Sequence, residues 1–167
     1  MTFIYRHHVI DADLPAGLYA QTALADLDND GRLEYIVGQQ YGDIYWYKML
    51  APDRWERRLL GQNSPSDVGG VALDVDGDGW IDFVAGGAWY RNPGGGGAVF
   101  ARVVFDPELR GVHDIAAADI DGDGRMEILT MSDQNNLRWY KIPADPHQPW
   151  ERHDIGPAVH AGLCLGD

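Results

Sequence analysis

The sequence predicts an all-β protein built from four-stranded β-propeller blades. Three observations predict it: a unit that recurs every 45 to 48 residues, four short apolar runs in each unit, and no helical periodicity of useful length. A period of ~40–50 residues with four strands is typical of a propeller blade. Gly, Asn, Asp and Pro between the runs indicate strand boundaries. We expect three complete blades plus partial blades at both termini, in a ring that is partial or completed by oligomerisation.

An acidic loop of nine residues defines the repeat and occurs at 26–34, 74–82 and 119–127. In the third unit the predicted strands cover roughly 113–118, 126–131, 137–142 and 150–155. Small residues in the first of these runs suit an innermost strand, where blades crowd together. A Trp-Tyr pair follows each loop, and we expect these aromatic side chains to pack between blades. The pairs are Trp46-Tyr47, Trp89-Tyr90 and Trp139-Tyr140.

The loop spacing divides one continuous domain into blades. Complete blades are expected at 11–60, 61–110 and 111–156. Residues 1–10 repeat the aromatic-x-Arg strand that ends each unit, so they are predicted to close a preceding blade. Residues 157–167 are predicted to be the first strand of a fourth blade, with Asp167 at its first ligand position. Because a ring needs ~4–8 blades, we expect a longer parent chain or copies that associate.

The acidic loops predict metal sites. Each has carboxylates at positions 1, 3, 5 and 9 and Gly at position 6. Such close carboxylates repel one another unless a cation lies between them, and Ca²⁺ takes about 6–8 oxygens at about 2.3–2.6 Å. Gly permits a sharp turn, after which position 7 offers a backbone carbonyl. The three predicted Ca²⁺ sites consist of Asp26, Asp28, Asp30, Arg32 and Glu34; Asp74, Asp76, Asp78, Trp80 and Asp82; and Asp119, Asp121, Asp123, Arg125 and Glu127.

Three alternatives to this interpretation are less favourable. An EF-hand begins with the same pattern but needs a bidentate Glu at position 12 and helices on both sides. Position 12 here is Val37, Ala85 or Thr130, and the flanks have strand character. Mg²⁺ is disfavoured because it prefers fewer protein ligands and more water. Solvated Asp-Gly turns would explain one copy, whereas three copies in one register favour a metal.

The loops and their flanking strands resemble the FG-GAP/VCBS repeat family, as in integrin-α-like propellers, over almost the whole chain. The Trp-Tyr-x-Asn-Pro-Gly stretch at 89–94 resembles bacterial members of that group. The Phe-Gly…Gly-Ala-Pro signature is not evident, so the likeness is closer to the VCBS-type branch. The resemblance implies Ca²⁺ in the loop between the first and second strands of a blade. It implies little about activity, because such propellers serve in adhesion, in carbohydrate-active enzymes and as accessory domains.

Charge and composition exclude several classes of partner. The net charge of −13 argues against nucleic acid and anionic membrane surfaces as partners. No apolar run reaches membrane-spanning length, and the single cysteine, Cys164, forms no internal disulfide. We expect a secreted or cell-surface, calcium-binding module that acts as a binding or scaffold module for glycan or protein ligands. Its other partners are the remaining blades of a longer chain or further copies of itself.

Two histidines are the candidate site residues of an alternative function. In this alternative the chain is a segment of a polysaccharide lyase or hydrolase whose site lies at the channel mouth. His113 and His160 lie six and seven residues before the first Asp of a loop. Both would stand near the start of an innermost strand and bind a ligand at that mouth. The plainer interpretation is that they cap strands. No Ser-His-Asp or Cys-His arrangement is evident, so no catalytic residue is assigned and the chain alone is not expected to be an enzyme.

Overall fold

The computed structural model describes residues 4–66, 68–95, 97–157 and 162–166, without the side chain of Gln21. In these ranges all regular structure is β-strand, and the twelve strands found there form three four-stranded antiparallel sheets. The described residues include no helix that could cross a membrane. The all-β prediction is thereby confirmed.

Each sheet is a meander whose strands are hydrogen-bonded in chain order. The first sheet contains β1 (Tyr19–Ala25), β2 (Glu34–Gln39), β3 (Ile44–Ala51) and β4 (Arg54–Gly61). The second contains β5 (Val71–Leu73), β6 (Asp82–Ala85), β7 (Ala88–Arg91) and β8 (Ala101–Val104). The third contains β9 (Val112–Ala118), β10 (Glu127–Ser132), β11 (Asn136–Lys141) and β12 (Glu151–Gly156). The strands predicted for the third unit agree with β9–β12 to within one residue at each end.

The second sheet is packed on both faces. Successive side chains of a strand point to opposite faces, so the aromatic pair of β7 contributes to two cores. Tyr90 lies in the cluster that includes Trp46 of the first sheet, and Trp89 lies in the cluster that includes Tyr140 of the third. All four side chains are at most 1% exposed. The predicted packing of aromatic pairs between neighbouring sheets is confirmed at these positions.

The first strands of the three sheets lie side by side, because β5 contacts both β1 and β9. Two backbones approach each other closely at Gly69, two residues before β5. A Cβ atom there would lie 2.9 Å from Asp114 Cα, and the residue has a φ of +70°. Only glycine satisfies both conditions. Glycine at this position therefore lets the backbone before β5 lie against β9.

The strand predicted at the N-terminal end of the chain is not paired in these sheets within the described residues. Residues 4–10 form no strand, and the side chains of Arg6 and His8 bind Asp53 instead. Asp11, the next residue, accepts hydrogen bonds from Tyr47 Oη at 2.9 Å and Arg57 Nη1 at 2.8 Å. Of residues 157–167, those at 158–161 and 167 lie outside the described residues, and 162–166 are not in a strand. Assignment of both ends to neighbouring blades stays a prediction.

Candidate metal centres

Each acidic loop joins the first and second strands of its sheet, and the same hydrogen bonds shape all three loops. The carboxylate at position 1 accepts the N–H of the glycine at position 6 at 2.8, 2.9 and 3.0 Å. The carboxylate at position 5 accepts the N–H of position 7 at 2.9 Å in every loop. The carboxylate at position 9 accepts the N–H of position 2 at 2.8, 3.0 and 2.7 Å. The three sequence motifs therefore fold into one structure.

Positions 4 and 6 of the loops have left-handed backbone conformations. At position 6 the φ values are +84°, +87° and +86°, and a Cβ added there would have no atom within 4 Å. Conformation rather than crowding therefore requires glycine at this position. Position 4 holds Asn29 in the first loop, with a φ of 55°, and glycine in the other two. Asn is one of the few other residues that adopt this conformation readily.

The loop backbone brings carboxylates together in three groups whose oxygens lie within 4.8 Å of one another. The groups are Asp26, Asp28 and Glu34; Asp74, Asp76 and Asp78; and Asp119, Asp121 and Glu127. The predicted ligands Asp30, Asp82 and Asp123 are not within these groups. The carbonyls predicted as ligands, those of Arg32, Trp80 and Arg125, belong to the residues whose N–H groups bind position 5. Their role as ligands stays a prediction.

The second loop differs from the others at position 9. Asp82 is one methylene shorter than the Glu of the other loops, and both its oxygens accept backbone hydrogen bonds. Val75 N–H donates to Oδ2 at 3.0 Å and Asn92 N–H donates to Oδ1 at 2.7 Å. Asp82 is fully buried, and burial, aided by the charges of Asp76 and Asp78, raises its pKa to about 7. This carboxyl therefore supports the loop from behind the group.

Glu34 is the most deeply buried carboxylate of the first loop. It is fully buried, and its Oε2 accepts the Leu27 N–H at 2.8 Å. Its Oε1 and Asp28 Oδ1 are both buried with no hydrogen-bond partner in the described part of the chain. Burial raises the pKa of Glu34, and the Asp28 charge adds to this effect. Unpaired buried carboxylate oxygens cost free energy, and a cation bound between these side chains would satisfy them.

A basic side chain from the third strand of each sheet also reaches its loop. These residues directly follow the aromatic pairs: Lys48, Arg91 and Lys141. They pair with the carboxylates at positions 3 and 5: Lys48 with Asp28 and Asp30, Arg91 with Asp76 and Asp78, and Lys141 with Asp121 and Asp123. Hydrogen bonds to Asp28 and Asp30 raise the pKa of Lys48. These residues were not among the predicted site residues, although the repeated Trp-Tyr-Lys/Arg pattern was a usable signal.

Of the two histidines predicted at the channel mouth, only His113 lies within the described residues. His113 is the second residue of β9, and its Nδ1 lies 3.3 Å from Asp114 Oδ2. It borders a depression together with Thr22 of β1 and Gly69. His160 lies outside the described residues. Convergence of the two histidines on one ligand therefore stays a prediction.

Comparison with known proteins agrees with the repeat and the fold. A family model described as FG-GAP-like repeat matches residues 26–85 and 74–130. The crystal structure of the V. cholerae biofilm matrix protein Bap1 is similar with a TM-score of 0.50 and 20% sequence identity, over 84% of this chain and 22% of that chain. At this identity the likeness concerns the fold alone. No curated protein matches the chain. Because the matched segments cover more than half of its residues, the chain belongs to the FG-GAP-like repeat family.

Proposed function

We propose that this chain is a calcium-binding segment of a β-propeller and acts as a binding or scaffold module for glycan or protein ligands. The observation that carries the metal proposal is Glu34. A carboxylate removed from water, with one oxygen lacking a partner in the described ranges, converges there with Asp26 and Asp28. Membership of the FG-GAP-like repeat family supports the same interpretation for all three loops.

The chemistry of the donors favours Ca²⁺. The grouped ligands are all carboxylate oxygens, which suit a hard cation, and Ca²⁺ accepts more protein oxygens than Mg²⁺ does. We propose the ligand positions 1, 3, 5, 7 and 9 in the first and third loops, with position 7 contributing its carbonyl. In the second loop we propose positions 1, 3, 5 and 7, because both oxygens of Asp82 accept backbone hydrogen bonds. The basic residue that pairs with positions 3 and 5 reduces the negative charge of each loop. It therefore limits how strongly the carboxylates repel one another before metal binds.

A recurring tyrosine contact supports the propeller arrangement. Tyr90 Oη donates to Gln62 O at 3.1 Å, and Tyr140 Oη donates to Asp106 Oδ2 at 2.7 Å. Each acceptor lies within two residues after the last strand of the preceding sheet. Tyr47 Oη makes the corresponding contact with Asp11. This contact supports our proposal that residues 1–10 close a preceding blade, that blades follow at 11–60, 61–110 and 111–156, and that residues 157–167 open the next.

The proposed partners follow from the sheet faces against which no second sheet packs in the described part of the chain. The face of the first sheet that turns away from the second carries Tyr35 and Tyr47, whose rings lie 6.2 Å apart. A groove on this face is lined by these rings and by residues of the N-terminal segment, including His8 and Leu14. We propose that further blades, from a longer chain or from other copies, pack against such faces. Because Bap1 is a biofilm matrix protein, we also propose an extracellular or cell-surface location.

Calcium titration of the purified chain tests the metal proposal. We expect isothermal titration calorimetry to give three bound Ca²⁺ per chain. At a free calcium concentration 100 times Kd, each site adds ~2.7 kcal/mol to the free energy of unfolding, or a Tm increase of ~5–11 °C. Mg²⁺ should have a smaller effect.

Matched variants make this test specific. Asp121→Asn should remove one of the three ions, whereas Asp53→Asn, an exposed residue that pairs with Arg6, should remove none. Unchanged melting in EDTA, together with no heat of calcium binding, would overturn the proposal. Gel filtration tests the partner proposal separately, because a stable, cooperatively melting monomer would show that no further blades are needed.

A further inference from the structure

We infer that the first and second calcium sites are coupled, so that an ion at one strengthens binding at the other, while the third site binds independently. The inference rests on the proposed function of the loops as calcium sites. It goes beyond that function because it assigns a role to residues that would not touch the metal. What carries it is a buried hydrogen-bonded path that joins the first two loops.

The path runs from position 9 of the first loop to position 9 of the second. Leu27 donates its N–H to Glu34 Oε2 at 2.8 Å, and its carbonyl accepts the side-chain amide of Asn92 at 2.9 Å. The main-chain N–H of Asn92 then donates to Asp82 Oδ1 at 2.7 Å. All four residues are at most 1% exposed. Two residues thus connect the innermost carboxylates of neighbouring loops without intervening solvent.

Asn92 is held rigidly in this bridging position. Its Nδ2 donates to Ile81 O at 3.0 Å as well as to Leu27 O, and its Oδ1 accepts the N–H of Gly94 at 3.0 Å. The side chain is 1% exposed, so rotation would leave buried polar groups unpaired. This bridge gives a physical role to the Asn of the Trp-Tyr-x-Asn-Pro-Gly stretch. A shift of the first loop is therefore transmitted to the second.

A second contact links the exposed tips of the same two loops. The Asn29 side-chain amide donates to the carbonyl of Gly79 at 3.3 Å. Asn29 occupies position 4 of the first loop and Gly79 position 6 of the second, the two positions at which the backbone is left-handed. The contact therefore joins the turns that determine the shape of each loop.

The corresponding positions between the second and third loops lack both amides. Counting from the aromatic pair, the counterpart of Asn92 in the third sheet is Ile142, which packs against the apolar cluster between those sheets. The counterpart of Asn29 in the second loop is Gly77, which has no side chain. The second and third loops therefore serve as an internal control for the first and second. Repulsion between neighbouring ions is expected in both pairs, whereas the linking amides are present only in the first pair.

The expected direction of the coupling is positive. An ion at the first site fixes Glu34, which fixes the Leu27 peptide and, through Asn92, the carboxyl of Asp82. The second loop is then already ordered, so the loop loses less conformational entropy when its own ion binds. Because linkage is reciprocal, an ion at the second site must strengthen binding at the first by the same factor.

Three variants with two sites each test the inference by calcium titration calorimetry. Asp121→Asn leaves the first and second sites, Asp28→Asn leaves the second and third, and Asp76→Asn leaves the first and third. We expect a Hill coefficient clearly above one only for Asp121→Asn, with the second ion bound about fivefold or more tightly than the first. Similar Hill coefficients for Asp121→Asn and Asp28→Asn would overturn the coupling. Failure of the unsubstituted chain to bind calcium would instead overturn the proposed function.

Changes to the linking residues identify the path. In the Asp121→Asn protein, Asn92→Ala and Asn29→Gly should each lower the Hill coefficient towards one. Asn29→Gly gives the first loop the residue that the other loops have at position 4, so its fold should persist. Gly122→Asn is the matched control and should leave cooperativity unchanged. If Asn92→Ala does not fold, Asn29→Gly and the comparison of the two-site proteins still test whether the first two sites are coupled. Undiminished cooperativity in Asn29→Gly would exclude the tip contact as part of the path.

Discussion

Replacing Glu34 with Gln should have opposite effects on stability with and without calcium. In the metal-free protein, the Gln carbonyl oxygen still accepts the Leu27 N–H, a contact of 2.8 Å in the parent. Its amide group then replaces Oε1 beside Asp28, whose Oδ1 has no partner within the described ranges and which belongs to the same group. The change also removes a buried charge whose pKa is raised. Because an unsatisfied buried polar group costs ~1–3 kcal/mol, we expect the metal-free variant to be more stable by about 1 kcal/mol.

Calcium should reverse the order of stability. The amide introduced by Glu34→Gln carries no charge, so the substitution should abolish or greatly weaken calcium binding at the first site. At free calcium 100 times Kd, loss of one site removes ~2.7 kcal/mol of stabilisation. For a chain of this size, each kcal/mol corresponds to ~2–4 °C. Because the metal-free variant is ~1 kcal/mol more stable, the net loss in calcium is ~1.7 kcal/mol, and the variant should melt ~3–7 °C below the calcium-loaded parent.

Thermal unfolding in EDTA and in calcium measures both effects, with Glu56→Gln as the control. Glu56 lies on β4 and pairs with Arg58 at 2.8 Å. The same chemical change at this more exposed site should cost less than ~1 kcal/mol in either buffer. If Glu34→Gln lost equal stability in both buffers, Glu34 would be only a structural acceptor for Leu27. The metal interpretation of its second oxygen would then be wrong.

Three other changes test the loop backbone, its counter-ion and a buried carboxyl. Gly124→Ala should lower the free energy of unfolding by ~1–2 kcal/mol because the residue has a φ of +86°. The control Gly156→Ala, in open space without a positive φ, should change it little. Equal losses of both variants in denaturant melts would contradict the backbone argument. Lys48→Met removes the charge beside Asp28 and should raise the calcium affinity of the first loop by on the order of tenfold, while lowering Tm in EDTA; weaker binding by calorimetry would refute this. Burial raises the pKa of Asp82 from 3.8 to about 7, so this carboxyl binds a proton more tightly in the folded state than in the unfolded state. The free energy of unfolding of the metal-free protein should therefore fall as pH rises from about 4 to about 7. Asp82→Asn should remove this slope, on the order of 4 kcal/mol, and parallel pH profiles for parent and variant would contradict the assignment.

The acidic loops were predictable because their shape depends on local interactions. The hydrogen bonds from position 6 to 1, from 7 to 5 and from 2 to 9 all lie within nine residues. The spacing of carboxylates and glycine therefore determines which oxygens converge. The strands of the third unit were predictable for a similar reason, since apolar runs between turn residues indicate β9–β12 without knowledge of their neighbours.

The sequence by itself determined the repeat, the all-β class and the candidate ligands of each loop. The tertiary structure decided which ligands are buried and what lies behind them. Asn92 bonds to Leu27, 65 residues earlier, and Lys48 reaches Asp28 across 20 residues. Asp82, which is not in the group of its loop, also accepts a hydrogen bond from Asn92 N–H. Such contacts depend on which sheets are neighbours, and burial and long-range hydrogen bonds exist only once the sheets have packed.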